Sequence, residues 1–149
     1  MPVTGKGGLR AAFFLFLLAL QPPAVLAHGD DQPKHGGIMG RGDDTVTVEF
    51  VYHGGVLAVY VEEHDSGIPI ASEKLKGAFL GMYGVGRLPQ QASLVPAGAN
   101  RLLAEGIAPR VGDRLSVLLM LPDGMQTWSI VTWREPPPVI QSQAGDGGP

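Results

Sequence analysis

The sequence of 149 residues contains no cysteine. That excludes disulfides, thiol nucleophiles and thiolate metal sites. Charge is sparse as well: Asp, Glu, Lys and Arg make up 17% of the chain, with a formal balance of −3 and no basic block. Nucleic acid and anionic membrane surfaces are therefore poor partners. No stretch repeats apolar residues at helical spacing, so no amphipathic helix is expected. Catalytic signatures are missing too. No serine sits in a nucleophile elbow, and the glycines between Gly81 and Gly86 precede no helix that could cradle a phosphate. No acidic residue is flanked in a way that predicts a raised pKa. The expectation is a protein that is not an enzyme.

What the chain does have begins with a leader. Lys6 and Arg10 precede ten apolar residues from Ala11 to Leu20, then Pro22-Pro23 and the small residues around Ala27. This is the pattern of a secretory signal peptide over residues 1–27. Ten apolar residues fall short of the roughly 20 that span a bilayer. Cleavage after Ala27 would make His28 the N-terminus and remove two basic residues, leaving 9 against 14 acidic ones. The expected location is the periplasm, free of the membrane once the leader is removed. Residues 28–43 hold glycines, a proline and two histidines without apolar periodicity, and read as a flexible His/Gly-rich arm. Residues 135–149, rich in Pro, Gly and Gln, read as a disordered tail.

Between them, residues 44–134 carry strand signals. Val46, Val48, Phe50 and Tyr52 alternate with Thr45, Thr47, Glu49 and Val51; Leu57, Val59 and Val61 alternate with Ala58, Tyr60 and Glu62. Period two marks strands with one buried face, and Gly54-Gly55 between them supplies a tight turn. This hairpin is expected to set Asp43 roughly opposite His64, so that the arm joins at the His64 end. Further strands are predicted around Ala92–Pro96, Arg101–Glu105, Arg114–Leu121 and Gln126–Arg134. Pro69 suggests an edge segment, and the four glycines of Gly77–Leu88 suggest a weak or bulged strand. About seven short strands without helices predict an all-β fold, an antiparallel immunoglobulin-like β-sandwich, with a small open barrel as the alternative.

The four histidines, His28, His35, His53 and His64, all lie in the first third of the secreted chain. A terminal His28 would offer its α-amine and ring Nδ1 to one ion, a chelate suited to Cu(II). His53 and His64 sit at opposite ends of one strand, about 36 Å apart at about 3.3 Å per residue, and cannot share an ion. His64 lies where the arm joins. The expected metal site is therefore His28, His35 and His64, with copper first and zinc second. Asp30, Asp31 and Met39 on the arm, and Glu63 and Asp65 beside His64, are further candidate ligands.

Pro33-Lys34-His35-Gly36-Gly37, Val48-Glu49-Phe50-Val51, Leu57-Ala58-Val59-Tyr60-Val61, His64-Asp65, Leu94-Val95-Pro96-Ala97-Gly98 and Asn100-Arg101-Leu102 resemble small bacterial periplasmic β-domains. Those domains are found with, or fused to, adaptor subunits of heavy-metal efflux pumps of the resistance-nodulation-division type. The resemblance runs from about Pro33 to Arg134. It implies a periplasmic β-sandwich linked to metal tolerance, with a divalent ion and an efflux adaptor subunit as partners, and with His35 and His64 at the matching histidine positions. The glycine-rich Gly77–Leu88 segment departs from the pattern. The competing expectation is a non-catalytic envelope interaction module in which the histidines are incidental. The terminal His28 is more weakly similar to that of β-sandwich copper-resistance proteins.

The leader assignment predicts that the secreted protein starts at His28. Its intact mass should equal that of residues 28–149; a mass one residue longer or shorter would remove the terminal chelate.

Overall fold

The structure is a computed structural model that describes residues 32–136. The predicted leader, His28 with Asp30 and Asp31, and the tail from residue 137 lie outside the described residues.

Ten strands form two antiparallel sheets of five. In chain order they are β1 (Ile38–Met39), β2 (Arg41–Gly42), β3 (Val46–His53), β4 (Val56–Glu63), β5 (Gly77–Tyr83), β6 (Gln90–Ser93), β7 (Val95–Pro96), β8 (Arg101–Glu105), β9 (Arg114–Met120) and β10 (Gln126–Thr132). One sheet runs β1-β3-β4-β8-β7, the other β2-β10-β9-β5-β6. A single 3-10 turn, Ser72–Lys74, is the helical element among the described residues. The alternation seen in the sequence becomes the core. Val48, Phe50, Leu57, Val59, Val61 and Leu102 of the first sheet face Leu80, Leu115, Val117 and Leu119 of the second, all essentially inaccessible to water.

The β3–β4 hairpin forms where the sequence predicts it. Gly54 and Gly55 both take positive φ, 60° and 84°, as a two-residue hairpin loop requires. The register differs from the expectation by two residues: Val46 pairs with Glu63, and the His64 amide donates to the Thr45 carbonyl at 3.2 Å. Thr45, not Asp43, lies opposite His64. Centring the turn on Gly54 alone, rather than on the Gly54-Gly55 pair, accounts for part of this offset.

Two segments each serve both sheets. β1 and β2 are one crossing strand that leaves the first sheet beside β3 and enters the second beside β10. β6 and β7 do the same at the other side, beside β5 and β8. They pivot at Gly40 and at Leu94. Part of the segment read as a flexible arm is therefore paired backbone. Gly77–Tyr83 is no edge. It pairs with β9 along its whole length and with β6 on its other side. Its glycines reduce side-chain bulk on one face without preventing the ladder.

Gly40 packs at a pivot where a Cβ would run into the Ser129 hydroxyl and come within 2.7 Å of the Phe50 ring. Gly40→Val is expected to destabilise the fold by about 2–4 kcal/mol, since neither neighbour can retreat from a packed core. Urea unfolding of the two proteins checks this.

Candidate functional site

The site that the arm builds lies on the outer face of the first sheet. Glu49 sits in mid-β3, opposite Tyr60 of β4 and Met39 of β1. Its side chain points away from the core, yet Glu49 is only 4% exposed, because residues 34–37 fold over it. The carboxylate accepts hydrogen bonds from the backbone amides of Lys34 (3.0 Å), His35 (2.8 Å) and Gly37 (2.8 Å). A fourth donor is the His35 ring, with Nδ1 2.8 Å from Oε2.

This geometry explains the run Lys34-His35-Gly36-Gly37. Gly36 takes a φ of 74°, which bends the chain so that successive amides converge on one carboxylate. Gly37 is buried against β3, where a Cβ would strike the Phe50 carbonyl and approach Val51 Cγ2 to 2.7 Å. Lys34 adds an ion pair to Glu62 at 2.6 Å. The His35 ring lies flat on Tyr60, with centroids 3.6 Å apart and planes 7° from parallel.

Burial alone would push the Glu49 pKa up. The hydrogen bonds from the His35 ring and from the Gly37, His35 and Lys34 amides outweigh it and hold the pKa below the ordinary value. An ionised carboxylate only accepts, so the proton in the His35–Glu49 contact belongs to Nδ1. The nitrogen left for any other partner is Nε2. The side chain of His35 keeps 36% of its surface exposed.

His64 lies further along the same face. Its Nδ1 is 3.2 Å from Thr47 Oγ1. Thr47 and Glu49 are next neighbours on one side of β3, so the rows holding the two rings are about 7 Å apart. Gln32 and Lys34 line a small crevice with Met39, Thr47, Tyr60 and Glu62, which places the start of the described chain at the His64 end. His53 is exposed at the far end of β3, near the Gly54-Gly55 turn. Among the described residues, no three His, Asp or Glu side chains are grouped as metal ligands. His28 is outside them.

No protein-family model matches the chain, and no curated relative matches it. One solved structure that matches is titled as the crystal structure of a Br derivative of BhCBM56. It is 13% identical, with 64% of this chain and 99% of that chain covered and a TM-score of 0.38.

Sequence reasoning missed Glu49 and Tyr60. Both read as the wet side of alternating strands, and no apolar flank announced a buried acid. The one available signal was an acid centred in the most apolar hairpin of the chain. Asp43, expected only to lie opposite His64, has a structural role the sequence did not show. Its carboxylate accepts from the fully buried Thr127 hydroxyl at 2.5 Å and from the Thr45 amide at 3.2 Å, tying the end of the arm to β10. Its pKa is also lowered: desolvation by burial raises it, and the hydrogen bonds from Thr127, Thr45 and the Trp128 backbone more than reverse that.

Both depressed carboxylates make stability depend on pH in one direction. Each stabilises the fold above the unfolded-state pKa, and that contribution is lost as pH falls through the lower folded-state value. Unfolding free energy in metal-free solution should therefore drop below about pH 4.5. Glu49→Gln should flatten that slope, leaving the part due to Asp43. At pH 7, Glu49→Ala leaves three amides without their acceptor and should cost about 3 kcal/mol. Urea titrations between pH 3 and pH 7 measure both effects.

Proposed function

We propose that this protein is a non-catalytic periplasmic metal-binding accessory in heavy-metal tolerance, holding a divalent ion, copper first and zinc second, for sequestration or for delivery to an efflux adaptor. The observation that carries the reading is the Glu49–His35 pair. A buried carboxylate that takes the Nδ1 proton, with a tyrosine ring fixing the imidazole plane, is the arrangement that orients a metal-ligating histidine through its other nitrogen. In this reading His35 offers Nε2, His64 offers a ring nitrogen from the neighbouring row, and His28 offers its amine and imidazole from the adjoining arm. Nitrogen donors without thiolates favour Cu(II) over the other divalent ions. The ion would be cargo, held by residues that neither donate nor accept electrons.

The scaffold we read as immunoglobulin-like. The orders β3-β4-β8-β7 and β10-β9-β5-β6 follow those of the A-B-E-D and G-F-C sheets with an added C′ strand. On this reading β1 and β2 are an extra crossing strand that carries the arm.

Calorimetric titration with Cu(II) and Zn(II) tests the proposal. The secreted protein should bind Cu(II) at one site. His35→Ala and acetylation of the α-amine should each weaken it at least tenfold, and Glu49→Gln should weaken it about 10- to 100-fold by releasing the ring. Equal affinity in the wild type, His35→Ala and His64→Ala would refute the folded site.

A further inference from the structure

The opposite face of the sandwich is the outer side of the second sheet, and it is built differently. Its register sets side chains in rows across the strands. One row is Trp128, Leu118, Phe79 and Ser93; the next is Arg41, Ile130, Ser116, Gly81 and Gln91; the third is Thr132, Arg114 and Tyr83. The middle row is the lowest, because Ser116 and Gly81 stand side by side at its centre. Trp128 and Phe79 stand on one side and Arg114 on the other, while the Tyr83 ring leans over Gly81, its Cε2 3.2 Å from where a Cβ would be. The result is a trough that crosses the sheet, with a volume of about 620 Å³.

A second groove of about 630 Å³ shares Trp128 and Ile130 with the first and continues it towards Arg41, Arg114 and Arg134. None of the residues lining either groove is acidic. The three arginines are exposed and make no ion pair or side-chain hydrogen bond with the described residues, whereas Arg87 nearby is held by Asp113 at 2.6 Å. Phe79, Tyr83 and Trp128 are 54%, 48% and 48% exposed. An acidic chain thus concentrates unpaired arginines and bare aromatics on one surface, the composition of protein-binding hot spots.

We infer that this trough binds an extended acidic segment of a partner protein whose apolar side chains alternate with carboxylates. Charge complementarity names the acid: Arg41, Arg114 and Arg134, with no counter-ion among the described residues, line the groove that continues the trough. The walls name the rest. Leu118 and Ile130 are aliphatic, and only part of the lining offers flat rings, so peptide side chains suit it better than a ligand that needs stacking throughout. Concavity argues against a bilayer, which would meet Trp128 and Phe79 but bridge over the Ser116 floor between them and Arg114. The sheet backbone is already paired, so recognition runs through side chains rather than by adding a strand. Five strands about 4.8 Å apart make a trough about 19 Å long, the span of about six extended residues. The trough lies on the other sheet from the Glu49–His35 pair, and its continuation borders that face at Met39.

Panning a displayed hexapeptide library against the protein tests this, with anionic phosphatidylglycerol vesicles as a parallel probe. Acidic sequences with Leu, Phe or Trp should be enriched. Their binding should weaken with added salt, and should fall at least tenfold for Arg114→Glu and for Trp128→Gln, with unfolding midpoints close to wild type. Binding should be unchanged in His35→Ala and in chelator, which separates this surface from the metal reading. Failure to enrich, enrichment of basic sequences, or equal binding by Arg114→Glu would overturn the inference. Vesicle binding without peptide binding would overturn it in favour of a membrane-facing surface.

Discussion

A carboxylate buried on the outside of a sheet is the constraint on which this molecule turns. Glu49 cannot lie under protein without donors, because an ionised acid removed from water must be paired or hydrogen-bonded. Its own sheet has none to offer, since the amides of β3 and β4 point along the ladder within the sheet rather than out of its face. The donors come from the chain preceding β1. Three amides and one imidazole converge on Glu49, and in doing so they fix where the N-terminal arm runs. The Lys34-to-Gly37 run follows from that need: a histidine to donate and stack, a glycine to turn, and a second glycine to come close.

The same arm then closes the sandwich. From Gly37 it pairs with β3, pivots at Gly40 and pairs with β10, and Asp43 ties its end to Thr127. The Glu49 cluster and the closure of the two sheets are thus consecutive parts of one segment. Loss of the acid would loosen both the presentation of His35 and the seal along one side of the core. On the other side β6 and β7 make the corresponding crossing, so short strands cover part of each sheet margin, where unpaired backbone would otherwise invite association.

The two outer faces divide the chemistry. The first sheet turns outward polar and ionisable groups that are bound up with one another: Glu49 with His35, Lys34 with Glu62, and His64 with Thr47. The second turns outward aromatics and arginines that the described fold leaves unengaged. On the proposed reading, a metal-carrying accessory that must also find an acceptor would need two such surfaces, and separating them would let cargo and partner bind without competing for side chains.

The sequence by itself determined the interior. Period-two alternation in β3 and β4 put Val46, Val48, Phe50, Leu57, Val59 and Val61 on the buried side, because a strand admits only two faces and water selects between them. The absence of helical periodicity left an all-β fold as the outcome, a sandwich or a small open barrel. Tertiary structure decided everything that depends on which strand lies beside which. A glycine-rich stretch became a central strand because β9 and β6 flank it; a seemingly loose arm became two sheet margins; and an outward glutamate became buried because a segment more than ten residues earlier folds over it. These outcomes rest on contacts between residues far apart in the chain, and local pattern carries no record of such contacts. That is why the histidines were visible in advance, while the acid and the tyrosine that orient one of them were not.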